Sequence, residues 1–156
     1  MHALRYTAAM HTYEYPRPAL TADVAVFRRH GETYEVLLVY RGIEPHKDRW
    51  ALPGGFVNEW ELPEDAARRE LAEETGVVLD GDVVLAGVFG RPGRDPRGWT
   101  VTAGYAVLLE TLAPALCAGD DAAQASWAPL RDLPPLAFDH DEIVQAAVEA
   151  LGLVPA

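Results

Sequence analysis

The segment Gly55–Val77, GFVNEWELPEDAARRELAEETGV, predicts a helix with an acidic face and decides the fold assignment. Pro63 suits the first helical position, where its missing N–H leaves no hydrogen bond unmade. Two acidic residues follow it in the first turn, where the helix dipole favours negative charge. Gly76 can end the helix in the left-handed conformation. The sequence therefore predicts a helix from about Pro63 to Thr75.

Glutamates cluster on one face of this predicted helix. Glu70, Glu73 and Glu74 stand at i, i+3 and i+4, so their carboxylates are neighbours and repel one another. A hard cation such as Mg²⁺ or Mn²⁺, which prefers oxygen ligands, would relieve this repulsion. A solvated acidic surface is the simpler alternative, but it does not explain the preceding WALPGGF at Trp50–Phe56. Paired glycines there allow the backbone to approach a ligand or metal closely.

The spacing of these residues resembles the complete Nudix box. Its fixed positions correspond here to Gly55, Glu61, Arg69, Glu70, Leu71, Glu73, Glu74, Gly76 and Val77. The resemblance implies an α/β fold, a Nudix-type α/β/α sandwich with a mixed β-sheet, in a single domain over residues 1–156. It also implies hydrolysis, with Mg²⁺ or Mn²⁺, of a nucleoside diphosphate linked to another group.

The resemblance further implies roles for individual residues. The metal ligands would be the carbonyl of Gly55 and the carboxylates of Glu70, Glu73 and Glu74, with Glu70 and Glu74 ranked first as direct ligands. Glu73 could instead be the base that deprotonates the attacking water. The catalytic set also includes Arg69 and Glu61, whose opposite charges are expected to pair and support the site. An ordinary surface ion pair is the alternative for these two residues.

The general base could also come from outside the box. The candidates are Asp95, Glu110, Asp120 and Asp121, and nothing in the sequence selects one of them. Each could equally be a plain surface acid.

The segment Arg91–Trp99, RPGRDPRGW, hereafter the arginine loop, is the second informative stretch. Arg91, Arg94 and Arg97 offer planar guanidinium groups suited to phosphate, and Trp99 offers a ring on which a base can stack. These four residues are the predicted substrate-binding set. A surface loop with a simple turn is the alternative interpretation.

Three segments resemble the ADP-ribose pyrophosphatase branch of the family: WALPGGF at Trp50–Phe56, RDPRG at 94–98 and LAFDH at 136–140. The resemblance implies a small-molecule nucleotide substrate, ADP-ribose, cleaved to AMP and ribose 5-phosphate. Two alternatives stay open: a nucleoside triphosphate pyrophosphohydrolase acting on substrates such as oxidised dGTP, and a sensor that binds a nucleotide sugar without turnover. Some relatives act as regulators through a C-terminal winged helix, which we expect to be absent here because the chain ends soon after Leu151.

The composition restricts the partners and the compartment. The formal net charge of −11 argues against a nucleic-acid polymer, because phosphate backbones are bound by an excess of Lys and Arg. No apolar run is long enough to cross a membrane, and the N-terminus does not resemble a signal peptide. Cys117 is the single cysteine, so we expect a reducing, cytoplasmic location. Residues 1–18, an N-terminal arm with tyrosines and prolines, together with the family resemblance suggest a homodimer.

The remaining elements are predicted from hydrophobic pattern and turn signals. Strands are expected at Thr21–Arg29, Glu32–Arg41, Asp82–Gly90, Thr100–Glu110 and Ala125–Leu130, with irregular chain over Ala113–Gln124. A last helix is expected to run to about Leu151, with Asp139 as its N-cap and Glu142 completing a capping box.

Overall fold

A mixed β-sheet lies between two helices in the computed structural model of the chain, which describes residues 10–111, 115–117 and 122–154. In chain order the elements are β1 (Ala19–His30), β2 (Thr33–Arg41), β3 (Trp50–Ala51), β4 (Gly54–Phe56), α1 (Pro63–Thr75), β5 (Val84–Phe89), β6 (Thr100–Leu109), β7 (Ala122–Pro129), a short 3₁₀ turn (Leu130–Asp132) and α2 (His140–Leu151). Within the described residues the sheet has seven strands.

Strand β1 is the centre of the sheet. It pairs in parallel with β6 along nearly its whole length, from Ala19↔Thr100 to Arg28↔Leu109. Its opposite edge is shared: β4 pairs with its first half and β2 with its second half, both antiparallel. This division brings the glycines of β4 against the first half of β1, directly beside the sheet centre.

The two faces of the sheet are covered by different helices. Alternate residues of a strand point to opposite faces. Ala22, Val24 and Val26 of β1 accordingly pack in one core cluster with Leu71 of α1. Ala25 and Phe27 of β1, which point the other way, pack in a second cluster with Ile143 of α2. Because both faces are buried, β1 is nearly continuously apolar, and the helices complete an α/β/α arrangement.

Helix α1 has the bounds predicted from the sequence, Pro63–Thr75, with Gly76 at φ 76° as its left-handed C-cap. Its buried side, which includes Ala67 and Leu71, packs in the apolar core, and Glu70 and Glu74 lie beside this side at the edge of the sheet. The strong local signals, a proline at the start and a glycine at the end, account for this agreement.

Two sequence-based expectations about local structure are wrong. Strand β7 begins at Ala122, within a stretch expected to be irregular, because pairing with β2 overrides the weak strand propensity of its alanines. Asp139 does flank α2, but its side chain makes no capping hydrogen bond. Its carboxylate instead accepts two hydrogen bonds from Arg94, at 2.9 and 2.6 Å.

The remaining expectations concern the arm, the tryptophans and membrane spans. Residues 10–18 of the arm lie on the surface, and residues 1–9 lie outside the described part of the chain. Trp50 and Trp127 are half-buried at the margin of the core. Among the helices of the described residues, none combines the length and apolarity that crossing a bilayer requires.

Candidate active site

A cavity of about 320 Å³ lies where the acidic side of α1 meets the sheet. Its walls come from distant parts of the chain. The acidic wall contains Glu70, Glu74 and Asp23, and the basic wall contains Arg41, Arg94 and Arg97. Phe56 and Phe138 contribute rings to the lining. A cavity lined by acids, arginines and apolar rings can hold a phosphorylated, ring-containing ligand together with a cation.

The double-glycine loop, Leu52–Phe56, forms the edge of this cavity and is wedged between β1 and α1. A side chain at Gly54 would collide with the Asp23 carboxylate and the Ala22 carbonyl. A Cβ at Gly55 would lie 2.5 Å from the carboxylate carbon of Glu70. Both positions therefore need glycine for space, because the backbone passes directly against the acidic side chains.

Arg69 connects the box helix to the segment before it. It donates two hydrogen bonds to Glu61, at 2.8 and 3.0 Å, and one to Glu70 at 2.6 Å. A fourth hydrogen bond, 3.1 Å long, reaches the carbonyl of Phe56 at the end of the double-glycine loop. These bonds raise the pKa of Arg69 and keep it charged, with Glu61 the main cause. The predicted pair of Arg69 and Glu61 is present, and it holds Glu70 against the loop.

Glu74 is an acid of the cavity whose carboxylate is largely buried. Its Oε2 atom is buried and has no hydrogen-bond partner in the described residues. Burial, followed by the negative charges of Glu70 and Asp23, raises the pKa of Glu74 to about 8. Burial also raises the pKa of Glu70. Desolvated carboxylates that face one another are stabilised by a nearby cation, so this part of the wall fits a hard divalent metal.

The predicted metal ligands are only partly brought together. Glu70, Glu74 and Gly55 line the cavity, whereas Glu73 has a side chain 60% exposed and reaches Arg69 only at 3.5 Å. Within residues 10–111, 115–117 and 122–154, no three His, Cys, Asp or Glu side chains form a ready metal cage. Glu70 and Glu74 thus fit a cation by their chemistry, and Glu73 stands further out on the same helix.

The raised pKa of Glu74 predicts a pH dependence of stability. A glutamate that titrates near 4.5 in the unfolded chain but at about 8 in the fold stabilises the fold fully below pH 4.5. That contribution is lost as the pH rises to about 8, at roughly 1.4 kcal/mol per pKa unit. We expect the free energy of unfolding of metal-free Glu74→Gln to fall less steeply over this range than that of wild type. Urea unfolding in EDTA at several pH values measures it, and identical slopes would contradict the assignment.

Each arginine of the arginine loop is paired with a carboxylate. Arg91 binds Glu142 at 2.7 Å, and Arg97 binds Asp95 at 2.8 Å. Arg94, whose side chain is 4% exposed, forms the buried pair with Asp139 described above. Arg94 and Arg97 line the cavity, whereas Arg91 lies in a neighbouring depression.

Trp99 does not line the cavity. Its side chain is exposed, and its carbonyl accepts a hydrogen bond from the Ala19 N–H at 2.9 Å. Binding of substrate by Trp99 and the loop arginines stays a prediction.

The candidates for a base outside the box differ in their surroundings. The Asp95 side chain is buried and bound to Arg97, and the hydrogen bonds from Arg97 outweigh burial and lower its pKa. Glu110 is exposed at the end of β6. Asp120 and Asp121 lie outside the described residues. A paired carboxylate with a lowered pKa is a poor proton acceptor, so Asp95 serves better as the anchor of Arg97.

Arg41, the last residue of β2, was not among the residues predicted from the sequence. Its Nε donates to the carbonyl of Pro45 at 2.8 Å, and its guanidinium carbon lies 5.0 Å from the centroid of the Phe138 ring. Among the described residues, no carboxylate oxygen lies within 4 Å of its guanidinium. Burial and the nearby charge of Arg97 lower its pKa. A desolvated cation beside another cation favours an anionic ligand.

Asp23 was also missed, because it stands within an apolar strand sequence. It is buried, and its Oδ2 accepts a hydrogen bond of 2.6 Å from the Thr102 hydroxyl. An acid inside TADVAVF is the signal that could have indicated it, since buried charges need partners or a function.

A mixed sheet between two helices, with an acidic helix face beside a double-glycine loop, defines a Nudix domain. A family model described as the NUDIX domain matches residues 17–147. The chain belongs to the Nudix family.

Two characterised relatives have different activities. An ADP-ribose pyrophosphatase of Methanocaldococcus jannaschii is 39% identical over 131 residues, which are 84% of this chain and 73% of that protein. The ADPR responsive transcriptional repressor NtrR of Acinetobacter baylyi is 35% identical over 146 residues, which are 89% of this chain. The chain spans only 56% of the length of that repressor. The family match and the archaeal relative support a Nudix pyrophosphohydrolase.

Solved structures show the same fold. The NUDIX domain of Shewanella oneidensis NrtR, crystallised with ADP ribose, matches with a TM-score of 0.82 and 35% identity, covering 97% of this chain and 99% of that one. A bifunctional NMN adenylyltransferase/ADP ribose pyrophosphatase of Francisella tularensis, complexed with AMP and a Mn ion, matches with a TM-score of 0.74 and 28% identity. That match covers 88% of this chain and 43% of the bifunctional protein.

Proposed function

We propose that the protein hydrolyses the diphosphate linkage of ADP-ribose, giving AMP and ribose 5-phosphate. The observation that carries this proposal is the buried Glu74 oxygen, which has no hydrogen-bond partner among the described residues and lies beside Glu70 and the double-glycine loop in a cavity that arginines also line. The acidic wall suits a divalent cation and the basic wall suits a diphosphate. The archaeal pyrophosphatase and the domain crystallised with ADP ribose support the choice of nucleotide.

The cation would be Mg²⁺ or Mn²⁺, held by Glu70, Glu74 and the carbonyl of Gly55. When bound, it would neutralise charge on the phosphoryl oxygens and make a water molecule easier to deprotonate. Glu73, exposed on the same helix, is the proposed acceptor of the proton that this water loses as its oxygen bonds to one phosphorus, while the bond from that phosphorus to the bridging oxygen breaks and AMP and ribose 5-phosphate separate. Arg69 keeps Glu70 and the loop in register through its bonds to Glu61 and Phe56.

A panel of nucleotides tests the proposed substrate. We expect kcat/KM for ADP-ribose to exceed that for oxidised dGTP and ordinary triphosphates at least tenfold, a difference of about 1.4 kcal/mol in transition-state stabilisation. We expect this preference because a site that also contacts the terminal ribose of ADP-ribose gains binding energy remote from the broken bond, and this energy can stabilise the transition state. Triphosphates have no terminal ribose and cannot supply it. Release of AMP is measured with Mg²⁺, and Glu74→Gln prepared in parallel controls for contaminating hydrolases. A clear preference for any triphosphate would refute the substrate assignment but leave the hydrolase proposal intact.

Sensing of ADP-ribose without turnover is the second candidate function, favoured by the similarity to the NtrR repressor. Binding and turnover separate the two. A sensor would bind ADP-ribose in the presence of Mg²⁺ and return it intact, whereas the proposed hydrolase would convert it. Calorimetric titration followed by chromatography of the recovered nucleotide distinguishes these outcomes in one sample.

A further inference from the structure

The position of the double-glycine loop depends on a part of the chain that is remote in sequence. On either side of Leu52, the short strands β3 and β4 are held by ladders to β2 and β1. Leu52 itself is buried, and its N–H donates a hydrogen bond of 2.9 Å to Nδ1 of His140, the first residue of α2. The imidazole therefore satisfies a backbone donor at the entrance of the loop that would otherwise be buried without a partner.

This hydrogen bond fixes the tautomer of His140. Because Nδ1 accepts from Leu52, the proton of the neutral ring is on Nε2. Nε2 lies 3.6 Å from Oδ1 of Asp23. Complete burial lowers the pKa of His140 and favours this neutral form. The ring thus stands between the loop backbone and the buried acid of β1.

The loop transmits its position to the acidic side of α1. Asp23 contacts the backbone at Gly54 so closely that any side chain there would collide with it, and Glu70 crowds Gly55 in the same way from the other side. A shift of Leu52 would therefore move the Gly55 carbonyl relative to Glu70. We infer that His140 is a positioning residue, which fixes the double-glycine loop so that the Gly55 carbonyl and Glu70 can bind one cation. The inference rests on the proposed metal-dependent function.

The geometry of the imidazole offers matched substitutions. Asparagine is short and can place its amide oxygen near the position of Nδ1, where it can accept from Leu52. Glutamine is longer and can place its amide near Nε2, where it can donate to Asp23 without accepting from Leu52. Weaker Mn²⁺ binding in His140→Gln but not in His140→Asn would therefore show that the hydrogen bond from Leu52 is the contact that positions the loop.

The experiment measures Mn²⁺ binding without substrate, from the electron paramagnetic resonance signal of the free ion. We expect His140→Gln to weaken Mn²⁺ binding about tenfold, as is typical when a residue that orients ligands is removed. His140→Asn should stay within about threefold of wild type on the same scale. At saturating metal, KM for ADP-ribose should change little in both variants. Ile143→Ala removes a buried apolar side chain of α2 from the cluster that also contains Leu52, but it leaves the His140–Leu52 hydrogen bond in place, so it is the control for general destabilisation.

The possible results separate this inference from the proposed reaction. Unchanged Mn²⁺ affinity in His140→Gln would overturn the positioning role of His140. Equal losses of Mn²⁺ affinity in His140→Gln, His140→Asn and Ile143→Ala that follow the melting temperature would overturn it as well. A wild-type protein that does not bind Mn²⁺ would remove the cation site and this inference with it. Mn²⁺ binding that depends on His140 in a protein that does not hydrolyse ADP-ribose would support the inference and refute the proposed activity.

Discussion

Replacement of Glu74 by Gln is expected to lower kcat for ADP-ribose by roughly two to three orders of magnitude, the usual effect of losing a group that stabilises transition-state charge. Glu74 presents a buried oxygen to the cavity that has no partner in the part of the chain that the structure describes, and glutamine preserves the size of this side chain while removing its negative charge. The fold should be retained, because the neutral amide relieves the repulsion from Glu70 and Asp23. Glu70→Gln should lower kcat in the same way.

The measurement is the Mg²⁺-dependent initial rate, with circular dichroism to verify folding. Glu64→Gln is the matched control, since Glu64 lies on the same helix but pairs with Arg68 outside the cavity. The control variant should keep the activity of wild type. Near-normal rates in both Glu74→Gln and Glu70→Gln would show that the cation site has been assigned to the wrong residues.

Replacement of Arg41 by Ala is expected to raise KM for ADP-ribose about 10- to 100-fold with a smaller change in kcat. We propose that its guanidinium, fixed by Pro45 and seated on Phe138, holds a substrate phosphate. A charge-assisted hydrogen bond contributes about 1.5–3 kcal/mol, which corresponds to this range of affinity. Arg41→Lys should recover part of the loss, because it keeps the charge but not the planar fork.

Binding of ADP and adenosine provides the direct measurement for Arg41. Arg41→Ala should weaken ADP much more than adenosine, which has no phosphate. Arg29→Ala is the control. Arg29 is an exposed arginine near the end of β1 that does not line the cavity, and its removal changes the net charge by the same amount. Equal losses for ADP and adenosine would contradict a role in holding phosphate.

The sequence predicted the parts of this site that depend on local signals. The bounds of α1 follow from Pro63 and Gly76, and the pairing of Arg69 with Glu61 joins opposite charges only eight positions apart, one in the helix and one just before it. Such features are decided by neighbouring residues and can be derived without the rest of the fold.

The basic wall could not be derived in the same way. Whether an arginine is available to bind a ligand depends on which acids the fold brings next to it. The partner of Arg94, for example, is Asp139, which is 45 positions away in the sequence. That contact also removes the side-chain cap expected for α2. Arg41 ends a regular strand and has no local feature that separates it from other surface arginines, so only the cavity identifies it.

The parallel pairing of β1 with β6 has a consequence for the folding of the nascent chain. Asp23 and Thr102 are 79 positions apart, and Leu52 and His140 are 88 positions apart. Domains dominated by such non-local contacts fold slowly, and the N-terminal half is synthesised first. The acidic helix therefore leaves the ribosome well before the strand and the histidine that complete its surroundings. We therefore expect the glutamates of α1 to stay hydrated until β6 and α2 have been synthesised, so that their burial in the site is completed late in folding.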